Sequence, residues 1–108
     1  MNALPPLTPE QRADALLKAA AARVKRSEVK TSLKRGTVTL AQVIKEAGTD
    51  DTIGKIKVSA LLESMPGVGK VRARQIMERL GIAETRRIHG LGPVQRAALE
   101  DEFAPVAA

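Results

Sequence analysis

Met65-Pro66-Gly67-Val68-Gly69-Lys70-Val71-Arg72-Ala73, near the middle of a 108-residue chain, decides the fold. A Pro-Gly turn runs straight into basic and apolar residues at helical spacing, which predicts a tight corner feeding a helix from Lys70 to about Leu80. Gly67 and Gly69 lack a Cβ, so both are expected to accept positive φ and to let the turn's backbone approach a ligand closely. The first amides of the helix have no intrahelical partner and lie at the positive end of its dipole, where an anion is favoured. Lys70, Arg72 and Arg74 add full charges to the same region. The corner reads as a phosphate grip.

A nucleotide-binding P-loop fails at two positions. Ser64 stands where the first Gly of G-x-x-x-x-G-K-[ST] belongs, and Val71 follows Lys70 where a hydroxyl would hold Mg²⁺. The plainer alternative is a turn between packed helices that binds nothing, against which stands the basic run behind the turn.

Working upstream, Ile56-Lys57-Val58 leads into about two turns of helix carrying Leu61 and Leu62, the first arm of a helix-hairpin-helix element. Thr49 to Gly54 is acidic and turn-prone, and is predicted to be a connection. Before it, Thr39 and Gln42 form a capping box for a short helix ending at Gly48, with Val38 poised to staple Val43. Thr8, Pro9 and Gln11 repeat the start signal for a long helix that ends at Gly36. Along it Arg23, Arg26, Lys30 and Lys34 share one face, which reads either as a solvated flank or as a secondary backbone contact.

Downstream, the second hairpin helix places Ala73, Ile76, Met77 and Leu80 inward and Arg72, Gln75 and Arg79 outward, and stops at Gly81. A second set of turns follows, containing Arg86, Arg87, His89 and Gly90. Pro93 opens a last helix running to about Phe103, with Val94, Ala97, Ala98 and Leu99 expected to face the core. The predicted fold is all-α: a loose arm over 1–7, a long helix over 8–36, a helical domain over 37–103 and a frayed tail over 104–108.

Composition narrows the function. With 18 Lys and Arg against 12 Asp and Glu the chain carries +6, and its pI is near 10.2, which favours a polyanionic partner. Trp and Tyr are absent and Phe103 is the one aromatic side chain, so there is no platform for stacking single-stranded bases. Duplex backbone is the favoured target. Arg86 and Arg87 can fork across phosphate oxygens or enter a minor groove, and Lys57 extends the patch. No Cys is present and His89 is the sole His, so neither a disulfide nor a Zn site is expected. No Ser/His/Asp set or spaced carboxylate pair suggests catalysis, and no cofactor or small-molecule substrate is expected. No apolar run is long enough to span a bilayer and no signal peptide opens the chain, so no membrane partner and a cytoplasmic location are expected.

Lys57-Val58-Ser59-Ala60-Leu61-Leu62-Glu63, the Met65 to Ala73 corner, Gln75-Ile76-Met77, Leu80-Gly81-Ile82 and Arg86-Arg87 through Gly90-Leu91-Gly92 together resemble the actinobacterial integration host factor family. The resemblance covers most of the chain after Thr39. It implies a helix–two-turn–helix domain and a nucleoid-associated protein that binds duplex DNA with little sequence preference and bends or shapes it, influencing compaction and recombination. Carried over by position, Gly67, Val68, Gly69 and Lys70 and the turn at Arg86 and Arg87 would be the DNA contacts. Where relatives carry a third cation after that Arg pair this chain has His89, so a contact there would be pH-sensitive. A monomer is expected, able to bridge two duplexes. The alternatives are a ribosomal or other RNA-backbone-binding protein, since the same domain shape can clamp RNA, and a protein-interaction bundle whose charge serves solubility.

Overall fold

The computed structural model describes residues 6–104; most of the expected arm, and the tail beyond Ala104, lie outside the described residues. The chain forms α1 (Pro9–Arg35), α2 (Leu40–Ala47), α3 (Asp51–Gly54), α4 (Val58–Glu63), α5 (Lys70–Arg79), a single 3₁₀ turn at Ile88–Gly90, and α6 (Pro93–Glu102). Among the described residues there is no strand, only an isolated antiparallel bridge between Lys57 and Arg87.

The capping chemistry appears where the sequence puts it. Thr8 Oγ1 accepts from the Gln11 amide at 3.1 Å while Gln11 Oε1 accepts from the Thr8 amide at 3.0 Å, and Thr39 and Gln42 repeat the box. Gly36 closes α1 with φ 74°, the left-handed conformation that ends helices. Thr49 to Gly54 differs from its expected role as a plain connection: the Asp50 carboxylate accepts from the Thr52 amide at 3.0 Å and starts the one-turn helix α3. A single turn is too short to show apolar periodicity, so its cap is the one local sign of it.

The core is wholly apolar, with no buried polar residue among those described. Leu33, Leu40, Ile53, Val58, Leu61, Leu62, Ile88 and Leu99 are its most enclosed members. Only Val29 and Leu33 of α1 are buried, so the N-terminal part of that helix projects from the body and the molecule as a whole measures 56 × 32 × 25 Å. Leu16, Leu17 and Val24 stay exposed along the projection. The last helix corrects one expectation. Val94 is 82% exposed and Ala97 is exposed, because α6 meets the body through Leu99, with Ala98 and Phe103 half-buried beside it. Val94 sits in the first turn, beyond the edge of the core.

Arg79 at the end of α5 hydrogen-bonds Glu102 at the end of α6 and ties the two helices together. That hydrogen bond, more than the charge attraction, holds the Glu102 carboxyl below the usual carboxylate range. Because the folded value is depressed, the pair stabilises the fold above the unfolded-state value, and this contribution is lost as pH falls through the folded value. Arg79→Met is expected to return the Glu102 titration toward an ordinary glutamate, read by carbon NMR at its carboxyl. An unchanged midpoint would show that the pair does not form in solution.

Candidate nucleic-acid interface

The corner is built by one buried side chain between exposed neighbours. Val68 turns into the core and its amide donates to Met65 O at 3.1 Å, while Pro66, Gly67, Gly69 and Lys70 face solvent. Val68 anchors the turn, and with its amide taken and its side chain inward it has little to offer a ligand. Gly67 has φ 77°, as its place after Pro66 requires, but Gly69 corrects expectation: its φ is −93°, an extended N-cap any residue can adopt. A Cβ on Gly69 would meet nothing within 4 Å, so the space in front of it is open. The first intrahelical bond of α5 runs from the Ala73 amide to Gly69 O at 3.0 Å. The amides of Lys70, Val71 and Arg72 thus have no intrahelical acceptor, no side chain caps them, and all three residues are exposed.

Beside this helix start runs a groove of about 330 Å³ between α4, α5 and the segment at Glu84 and Thr85. Lys57, Lys70 and Arg74 line it together, bringing the cation upstream of α4 to those of α5. Arg72 does not share it. One step round the helix, it lies close enough to Glu102 to help keep that carboxylate charged. The sequence also gave no warning that Glu63 and Glu84 would line the groove or that Ser59 and Thr85 would bring hydroxyls to it. Glu84 pairs with Arg74 at 3.8 Å, both well exposed, a long-range meeting that no local spacing announces.

The second turn is held by its own polar groups. Arg86 Nη1 donates to Gly90 O at 2.8 Å, Arg87 Nη1 donates to Lys55 O at 2.9 Å, and His89 Nδ1 lies 2.7 Å from Gly54 O. The Gly90 amide donates to Arg87 O at 2.9 Å, so both main-chain groups of Gly90 are engaged. Each guanidinium retains further N–H groups for an outside acceptor. Backbone bonds from Val58 N to Arg86 O and from Ile88 N to Ile56 O lock this turn to the start of α4, which places Arg87 beside Lys57. Two exposed cationic turns are thereby held on one frame. No group of three or more His, Cys, Asp or Glu residues suited to a metal occurs among the described residues. No helix among them is long and apolar enough to cross a membrane.

The geometry has relatives. The family described as S13-like H2TH domain matches residues 33–103. An integration host factor from Streptomyces coelicolor is 68% identical over 101 residues, covering 94% of each chain. The chain belongs to the actinobacterial integration host factor family. Another family member, from Mycobacterium tuberculosis, is 60% identical over 101 residues, covering 94% of this chain and 96% of its own. A solved structure described as "Structure of sIHF bound to an 8bp palindromic DNA" superposes with a TM-score of 0.79 at 64% identity, covering 81% of this chain and 98% of that one. The chain is all-helical, its domain over residues 33–103 is of the helix–two-turn–helix type, and its long first helix leads into that domain.

Proposed function

We propose that this family member is an architectural protein of the nucleoid that grips the sugar–phosphate backbone of duplex DNA, largely without reading sequence, and bends or shapes it to influence compaction and recombination. The observation that carries this is the open, uncapped start of α5 beside Lys57, Lys70 and Arg74. The DNA-bound relative of similar fold supports it. One phosphate sits at the α5 amides, with Lys70 over it; Arg86 and Arg87 reach a second backbone segment through the guanidinium N–H groups not bonded to Gly90 and Lys55. Arg74, partnered by Glu84, and Arg72, near enough to Glu102 to act on its charge, add longer-range attraction. Residues 37–103 form the DNA-binding unit, and the protein acts as a monomer that can bridge two duplexes. It acts by binding, not by catalysis.

Such binding releases counterions, so affinity for a mixed-sequence duplex falls steeply as salt rises. Lys70→Ala is expected to lower the slope of log affinity against log salt by about 0.9, equally on different sequences, with thermal stability unchanged. Fluorescence anisotropy over a KCl series measures it. A salt-independent affinity would defeat the proposal. The S13-like character of the domain favours RNA backbone as the second reading, and competition between equal lengths of duplex DNA and duplex RNA separates the two.

A further inference from the structure

His89 is bonded so that one ring nitrogen is committed and the other has no partner among the described residues. A backbone carbonyl can only accept, so at 2.7 Å from Gly54 O the Nδ1 atom must carry the proton. The neutral ring therefore keeps its lone pair on Nε2, and charging the ring adds an N–H there without disturbing the Gly54 bond. The seat is specific. Gly54 is buried, and a Cβ on it would meet His89 Cβ at 3.1 Å, so the absent side chain makes room for the histidine to lie on the end of α3. The ring is held at its Nδ1 edge while the residue stays exposed.

Refining the duplex-binding function proposed above, we infer that His89 is a conditional phosphate contact: neutral, it only braces the second turn, and charged, it donates from Nε2 to a backbone phosphate beside Arg86 and Arg87. The charges around it favour this coupling. Its own turn brings Arg86 and Arg87, and α3 brings Asp50, Asp51 and Lys55. The Asp50 carboxylate caps Thr52, and Asp51 pairs with Lys55 at 3.5 Å. The neighbouring α2 contributes Lys45 and Glu46, and Lys57 lies across the backbone bridge from Arg87. No carboxylate stands within ion-pairing distance of the imidazole among the described residues. An arriving phosphate would supply an anionic acceptor that the described residues of the free protein do not place at the imidazole. DNA binding and proton binding then reinforce one another by linkage.

The test is anisotropy with a mixed-sequence duplex at 0.1 M KCl, from pH 8.0 to pH 5.5, with calorimetry in two buffers of different ionisation enthalpy. One added phosphate contact contributes about 0.9 log units per decade of salt, so, measured against 1 M KCl where that contact is screened out, affinity at 0.1 M KCl should rise toward about eightfold as the ring becomes fully charged. Calorimetry should show fractional proton uptake on binding. His89→Asn, which can still donate to Gly54 O but cannot charge, should keep the affinity seen at pH 8.0 and lose the acid gain. His89→Lys should bind with the low-pH affinity throughout. An equal gain in His89→Asn, or no gain and no proton uptake in the unaltered protein, would overturn the inference while duplex binding stands. Absence of binding at any pH would instead defeat the function on which it rests.

Discussion

Gly67→Val is expected to lower both stability and DNA affinity, whereas Gly69→Val lowers affinity with little effect on the fold. Gly67 holds φ 77°, where an L side chain costs about 1–2 kcal/mol and a β-branched one fits worst. Nothing lies within 4 Å of a Cβ placed there, so the penalty arises from the backbone and not from a clash. About 2 kcal/mol corresponds to a fall in Tm of roughly 8–16 °C in a domain of this size. The turn can relieve that strain only by moving Val68 from its socket or by shifting the start of α5, and either change displaces the amides proposed to hold phosphate. Gly69, at φ −93° in open space, accepts a side chain at the modest cost of a poorer N-cap, about 0.5–1 kcal/mol. There the added methyl groups occupy the room a phosphate needs. Thermal melts and anisotropy on both variants separate the two causes. Equal loss of stability in both would mean that the corner is not shaped as described.

That contrast marks what the sequence could and could not reveal. Helix starts were legible because capping is local: Thr8 with Gln11, and Thr39 with Gln42, announce themselves within four residues. The inward stripe of α5 was legible for the same reason, since Ala73, Ile76 and Met77 repeat at the helical period. Gly67 and Gly69 look alike in a list of residues, yet only Gly67 is left-handed, at the centre of the turn after Pro66, while Gly69 is the extended N-cap of α5. The division of Arg72 from Arg74 follows from where Glu102 and Glu84 fall in three dimensions. His89 meets Gly54 across 35 positions, a pairing the local pattern does not contain. Long-range placement, more than local conformation, turns the basic residues into an interface.

Ile88→Ala is expected to be among the most damaging single changes, because that side chain fastens the second turn to the core. Ile88 is 1% exposed and is flanked by Arg87 and His89, which are both exposed. Its amide donates to Ile56 O at 3.0 Å and its carbonyl accepts from the Leu91 amide at 3.1 Å. Truncating a buried isoleucine removes its transfer free energy and leaves a cavity, together about 2–5 kcal/mol. A loss near 3 kcal/mol lowers Tm by roughly 12–24 °C, against a total stability of about 5–15 kcal/mol for a typical domain. Ile88→Val should cost only about 0.5–1.5 kcal/mol. Affinity should fall more in Ile88→Ala than in the valine variant even under conditions where both remain folded, because the guanidiniums of Arg86 and Arg87 are aimed by the turn that Ile88 secures. Denaturant titration, with anisotropy at low temperature, reads both quantities. A folded Ile88→Ala protein with undiminished affinity would show that the second turn takes no part in holding DNA, leaving the corner at Gly67 to Lys70 to act alone.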